Sequence, residues 1–598
     1  MKILFFSFLV SFYCFSKDIE SNNEVLFESS IIEPVRVIKK SNSHYFFDFG
    51  KAAFGNLTIK IKSPLKNPIT VQMGEKIINK STIDSKPGGT IRYHKVIIKD
   101  IPINEDYIVK LEPVKRHIDG RGVLTPDYFG VVTPFRYCEI ENLNLPLERI
   151  EVKQKVYNFR FDDNASSFTS SNTILNKVWD LCKHTIKATS FCGLYVDGDR
   201  ERIPYEADAY INQLSHYSVD AEYELAQRTN EFFIHNPTWP TEWILHTVLM
   251  FHADYMYTGD TKFLRKYYEQ LKSKTLIDLA SEDGLITTHR PFVTDNLMSQ
   301  IGFKNKKRRI KDIVDWPKGE RDGFQMRRFN TVVNSFHYIN LKLMAEIAGV
   351  IGNEKDAIFF QKQSILVKNT INKKLFNKVK GIYVDGKNSN HSSLHANMFP
   401  LAFGIVPENN VETVVEFIKS KGMACSVYGA QYLLEALYQY GESDYALELM
   451  TGKNDRSWWH MIELGSTMTL EAWDMKYKPN LDWNHAWGAA PANIITRCMW
   501  GIMPAKPGFE AVNIKPQLSK LTASKIKSPT IKGNIIAEYK RLNNKHHAFK
   551  IEIPEGIKGT FYIPNYEYKK ILLNQKIVKV EDDLIHLIPG TNHIEMKN

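Results

Sequence analysis

Cysteine is scarce. Six occur in 598 residues, at positions 14, 138, 182, 192, 425 and 498, and no two stand in a C-x-x-C pair. A disulfide framework and a zinc site of ordinary ligand spacing are thereby excluded, so stability has to come from an apolar core. One bridge remains open to the later five; buried free thiols are the default. Long apolar runs are missing as well. After residue 16 no stretch of about 18 apolar residues occurs, which leaves no membrane-spanning helix in the mature chain. Glycine-rich phosphate loops, cofactor fingerprints and metal-ligand clusters are absent, so no cofactor and no metal is expected. The densest basic run, Lys304–Lys311, lacks the stacking aromatics of a single-strand nucleic-acid site. It reads as a solvated loop, and nucleic acid is set aside as a partner.

What is present is a large, ring-rich globular chain: 43% hydrophobic, 12% aromatic and +11 in net charge. Residues 1–16 carry Lys2 and then an almost wholly apolar stretch from Ile3 to Phe15, the pattern of a signal peptide. Export to the periplasm or beyond is therefore expected. Residues 17–164 hold short β-prone runs such as Leu57–Ile61 and Arg136–Ile140, broken by glycine and proline, and predict an N-terminal β-sandwich. From 165 to 505 the apolar period becomes helical, as in Ile174, Leu175, Val178, Trp179 and Cys182. So many helices with few strand signals predict a toroid of helical hairpins, (α/α)6, rather than one bundle. Strand signals return over 506–598 and predict a smaller C-terminal β-sandwich.

Two acidic stretches stand out. Residues 196–208, Val-Asp-Gly-Asp-Arg-Glu-Arg-Ile-Pro-Tyr-Glu-Ala-Asp, put five acids, two arginines and a tyrosine between apolar flanks. Carboxylates near low-dielectric walls have the shifted pKa values that acid–base chemistry needs, although an ion-paired structural turn has the same composition. At the far end of the helical region Gly465–Trp473 leads to Glu471, followed by Asn484-His485-Ala486-Trp487-Gly488. Glu, Trp and His gathered there suggest a lined pocket, against the plain alternative of a helix cap with a surface acid. Pro204 favours a helix start, which leaves Glu201 in the loop before it.

These residues resemble those of bacterial α-L-rhamnosidases of glycoside hydrolase family 78. Arg200-Glu201-Arg202-Ile203-Pro204-Tyr205-Glu206-Ala207-Asp208 is similar to the family's first acidic run, and Gly465–Trp473 to its second. The resemblance implies Glu201 as general acid and Glu471 as general base. It also implies sugar contacts from Arg200, Asp208, His485, Trp473 and Tyr205, the last standing where the family has Trp. Trp243, in Pro240–Trp243, and Asp315 with Trp316 look like further pocket residues. The spacing departs at the first acid: only three residues separate Asp197 from Glu201. Asp197 is the expected sugar-binding acid, with Asp199 as the other option.

The implied activity is inverting, exo-acting hydrolysis of terminal α-L-rhamnosyl linkages, with a rhamnose-containing carbohydrate as partner and the oligomeric state left open. Inversion needs two carboxyl groups about 6.5–9.5 Å apart, with a water between. The basic balance adds an acidic or sulfated polymer as a substrate option. The alternatives are another glycosidase or lyase on the same helical architecture, and an inactive carbohydrate-binding protein.

Overall fold

Among the described residues, six helical hairpins follow one another along the middle of the chain. Their members are α1 (Thr173–Ala188) and α2 (Glu206–Val219); α3 (Glu224–His235) and α4 (His246–Thr258); α5 (Thr261–Lys274) and α6 (Thr331–Val350); α7 (Glu354–Lys374) and α8 (Leu394–Ala402); α9 (Val411–Lys421) and α10 (Gly429–Gln439); α11 (Ser443–Thr451) and α12 (Ala490–Ile494). The computed structural model describes residues 26–597 apart from 290, 306–308, 544, 566–567 and 581. The expected signal peptide, 1–16, lies outside the described residues.

The even-numbered helices touch one another in sequence order, and α12 returns to α2, so they close a ring. Odd-numbered helices back them from outside. Sequence explains the sorting. Every residue of α2 is buried, as a helix surrounded by other helices requires, whereas α1 buries one face through Leu175, Val178, Trp179, Leu181 and Cys182. Helix starts are set by side-chain caps: Asn172 accepts from the Ile174 and Leu175 amides at 3.0 Å each, and Asp260, Asn330 and Ser393 cap α5, α6 and α8.

Before the ring lies an eight-stranded sheet built around one 18-residue strand, His44–Ile61. Its first half pairs with Arg36–Ser41 and its second with Ile150–Phe159, with a break in register between Asp48 and Ala53. After the ring come a seven-stranded and a four-stranded sheet.

Two expected boundaries shift. Ser167–Ser170, assigned by sequence to the helical region, is the edge strand of the seven-stranded sheet and pairs with Ala523–Ser528. Only Phe168 of its four residues is buried, too weak an alternation to register as a strand. At the other end the first strand after the ring, in the four-stranded sheet, begins at Met503 rather than 506. All five described cysteines are free; four are buried and Cys498 is partly so. Among the described residues no helix is long and apolar enough to cross a membrane.

Candidate active site

The first acidic stretch folds into a closed turn ahead of α2. The Asp197 amide donates to the Ile203 carbonyl at 3.0 Å, and the Ile203 amide returns a 3.0 Å bond to Asp197 Oδ1. Gly198 has φ +93°, and a Cβ there would lie 2.7 Å from the Asn484 carbonyl oxygen, so glycine is required. Arg202 also takes a positive φ, 54°, costly for a residue with a Cβ. Helix α2 starts only at Glu206, so Glu201 sits in the turn before it, as Pro204 predicts.

Of the two candidate sugar-binding acids, Asp199 is consumed by the protein. Arg202 donates to its Oδ1 from Nε at 3.0 Å and Nη2 at 2.6 Å, while Arg92 holds Oδ2. Burial would raise its pKa, but Arg202 and Arg92 outweigh burial and lower it. Asp197 differs. Its Oδ2 has no hydrogen-bond partner among the described residues, and burial pushes its pKa to about 8 despite His485 and Arg200.

Arg200 ties the two acidic stretches together. Its Nη2 donates to Glu471 Oε1 at 2.6 Å and its Nη1 to Glu471 Oε2, while Nε lies 3.9 Å from Glu201 Oε1. Lys478 adds a second cation 3.2 Å from Glu471 Oε2. Glu201, 9% exposed, accepts from the Tyr205 hydroxyl at 2.8 Å and is ion-paired with Arg116. Residues 201 and 471 therefore flank a single guanidinium.

The second stretch is a long loop between the short helix Trp458–Glu463 and α12. His485 is clamped there, 2.8 Å from Asp208 on the first turn of α2 and 3.2 Å from Asp482. Burial lowers its pKa, yet the two carboxylates win and push it to about 10, so it is an imidazolium. Rings complete the wall: Tyr205 meets Trp243 edge-on at 5.3 Å, Trp243 meets Trp487 at 6.3 Å, and Trp487 donates to the Glu471 carbonyl at 2.9 Å.

Glu471, Asp482 and His485 place ligand-type atoms within 4.8 Å of one another, a cluster whose spacing in sequence gave no sign of it. Their atoms are already engaged within the protein: both ring nitrogens of His485 lie against Asp208 and Asp482, and both oxygens of Glu471 are held by Arg200, with Lys478 beside one of them.

Two expected sugar contacts are corrected. Trp473 is fully buried, gives its indole N–H to the Cys425 carbonyl at 2.8 Å and packs edge-on against Trp458. Asp315 is fully buried too, with its oxygens taken by His395 at 2.6 Å, the Ser426 amide at 3.0 Å, the Ser426 hydroxyl and the Trp316 amide at 2.7 Å. It pins its loop to α8 and to the segment just before α10. Trp316 is half-buried, and among the described residues no hydrogen bond or ring contact joins it to either acid.

The N-terminal sheet region supplies residues that sequence reading missed. Thr90 donates to the Leu481 carbonyl at 2.9 Å, the Asn484 amide group donates to Glu75 at 3.1 Å, and Val123 donates to the Arg202 carbonyl at 2.8 Å. Arg92, Arg116 and Glu75 lie on loops whose local sequence carries no such signal. Trp487 stood within the quoted stretch 484–488, Asp482 just before it and Lys478 between the two motifs, all within reach of sequence reading.

A family model, the bacterial α-L-rhamnosidase six-hairpin glycosidase domain, matches residues 163–499, more than half the chain. The chain belongs to this family. The family's C-terminal domain matches 501–577. An α-L-rhamnosidase of Formosa agariphila is 22% identical over 91% of this chain and 58% of its own length. One from an Alteromonas species is 24% identical over 52% of this chain and 33% of its own. The chain thus spans little more than half the length of the first of these relatives. Among solved structures, the α-L-rhamnosidase of Dictyoglumus thermophilum superposes with a TM-score of 0.76 at 18% identity, covering 95% of this chain and 63% of that one. The Streptomyces avermitilis enzyme complexed with L-rhamnose gives 0.74 at 14%, covering 96% and 54%. These likenesses establish the fold.

Proposed function

We propose that the chain is an exported, inverting exo-α-L-rhamnosidase working on an (α/α)6 toroid, with Glu201 as general acid and Glu471 as general base. The observation that carries this reading is the shared guanidinium of Arg200. A carboxylate on either side of one guanidinium leaves the two less than about 9 Å apart, a ceiling compatible with the roughly 6.5–9.5 Å of an inverting pair. Glu471, gripped by Arg200 and Lys478, has the fixed orientation a base needs to aim a water at the anomeric carbon. Glu201, at the more open edge, protonates the leaving oxygen. The Asp197 carboxyl, whose Oδ2 has no hydrogen-bond partner among the described residues, bonds the sugar hydroxyls, and Tyr205 and Trp243 meet the sugar's apolar face. His485, with both ring nitrogens held by Asp208 and Asp482, and the fully buried Trp487 act behind this surface by fixing its parts. The L-rhamnose in the Streptomyces avermitilis complex favours the same sugar here.

Arg116 supports an acidic or sulfated polymer as substrate. It reaches Glu201 from the N-terminal region yet stays 43% exposed, so it can exchange that partner for an anionic group beyond the cleaved bond. The net charge of +11 favours the same partner at longer range.

The reading is tested with Glu201→Gln and Glu471→Gln. Each is expected to abolish rhamnose release from an alkyl α-L-rhamnoside, whose leaving oxygen needs a proton, while leaving the thermal unfolding curve in place. Full activity in either variant refutes the assignment.

A further inference from the structure

The even-numbered helices run in one sense through the ring, and their two ends differ. Asp208, His395 and Gly429 lie on the first turns of α2, α8 and α10, at the acidic end. At the opposite end a cavity of about 520 Å³ opens, lined by residues such as Tyr257, Leu343, Ala402, Glu435 and Arg497 and closed on one side by the segment leading into the C-terminal sheets. This is within the roughly 300–1,000 Å³ of ordinary ligand pockets.

Its lining is selective. Arg497 Nη1 donates to Glu435 Oε1 at 2.6 Å and to Asn493 at 3.0 Å, yet the two charged side chains remain 15% and 17% exposed. The pair is neutral as a unit and offers donors and acceptors side by side. Just past α12 the chain makes a π-turn, with the Trp500 amide donating to the Ile495 carbonyl at 3.0 Å. The extra residue in that turn carries Arg497 and Cys498 to the cavity wall, and such insertions recur at functional sites. Tyr438, another wall residue, is 1% exposed and its hydroxyl has no partner among the described residues. Around these polar groups stand the faces of Tyr210, Tyr257 and Phe403. Helices α4, α8 and α10 end here, and their carbonyl-rich termini favour hydroxyl donors over anions.

We propose that this second mouth of the helical ring binds a neutral polyhydroxylated ligand of one or two sugar rings, independently of Glu201 and Glu471. An apolar wall of rings takes the C–H face of such a ligand, and the balanced Arg497–Glu435 pair takes adjacent hydroxyls. A cation would meet Arg497 and the exposed Lys515 of the lining; an anion, though drawn by Lys515, would meet Glu435 and the helix ends.

The test uses the full chain. Crystals are soaked with L-rhamnose and separately with cellobiose, and binding of each is measured by calorimetry in solution. The expected result is sugar density against Glu435 and Arg497 for at least one probe, with millimolar or tighter binding. Ala402→Phe, which narrows the entrance at a half-buried position, and Glu435→Gln, which keeps shape but breaks the charge balance, should each weaken that binding about tenfold or more, the scale of a lost charged hydrogen bond. Hydrolysis of an aryl α-L-rhamnoside should be unchanged in Ala402→Phe. Density confined to the acidic end, binding at crystal concentration only, or unaltered affinity in the Ala402→Phe protein overturns the proposal. Because the readout is occupancy and not turnover, an inactive enzyme leaves the outcome equally decisive.

Discussion

Arg200 grips both carboxylate oxygens of Glu471, a residue 271 positions further along the chain, while the other edge of its guanidinium faces Glu201. Two-pronged pairing fixes direction as well as distance, which a lysine cannot do. Arg200→Lys is therefore expected to lower kcat by about 100-fold, the scale of a displacement of roughly 1 Å in the reacting groups, with a smaller effect on KM. A steady-state comparison on one aryl glycoside checks it, and an unchanged kcat removes Arg200 from the machinery.

Arg116 presses on the other acid. A cation against a carboxylate opposes its protonation, and the acid of a glycosidase must carry a proton. Arg116→Ala should shift the alkaline limb of the kcat/KM profile to higher pH on a neutral aryl glycoside and lower activity on an anionic polymer. If the limb stays in place, Arg116 does not govern Glu201.

Three buried groups make the fold sensitive to base. His485 is raised from 6.5 to about 10, Asp197 from 3.8 to about 8 and Glu75 from 4.5 to about 8. In each case the folded chain holds its proton above the pH at which the unfolded chain releases it. The stability tied to His485 is full below about 6.5 and lost as pH rises through about 10; that tied to the two acids is lost as pH rises from about 4 through about 8. The part of the stability that rests on these three groups should therefore fall between pH 7 and 10, against an opposite rise from the buried Lys274, whose pKa burial lowers to about 7. His485→Gln should flatten or invert the parent's dependence of melting temperature on pH above about 7, and a parallel profile in the variant contradicts the assignment.

Trp473 and Asp315 act on stability rather than on sugar. Trp473→Phe removes the indole donor from the Cys425 carbonyl, which keeps its 3.2 Å bond from Arg456 Nη1, and should destabilise by about 0.5–1.5 kcal/mol. KM for the aryl glycoside should stay within about twofold, since the indole is fully buried. Denaturant unfolding alongside kinetics separates the two effects; a large rise in KM at full stability restores the sugar contact.

What the sequence showed well were features whose signal is local. The helical period predicted the hairpins, and Pro204 placed Glu201 in a turn. The aromatic and acidic residues around 471 and 485 pointed to the second half of the site. What it hid were relationships made only by folding. Arg92, Arg116 and Glu75 reach the acids from loops of the N-terminal sheet, more than 80 residues from position 201 in the chain. Ser167–Ser170 joins a sheet formed hundreds of residues later, with one buried side chain to betray it. Trp473 sits two positions from Glu471, but in the irregular loop that proximity does not give it the same facing; its ring turns into the core.

The most direct test of the acid–base assignment compares leaving groups. An activated aryl rhamnoside, whose phenolate departs without protonation, should be cleaved by Glu201→Gln at a rate near the parent's, whereas an alkyl rhamnoside should be slowed by about 100- to 10,000-fold, the span of general-acid catalysis. Glu471→Gln should lose both substrates alike. Equal loss of both substrates in Glu201→Gln, or retained cleavage of the activated one in Glu471→Gln, would contradict the roles given to the two glutamates.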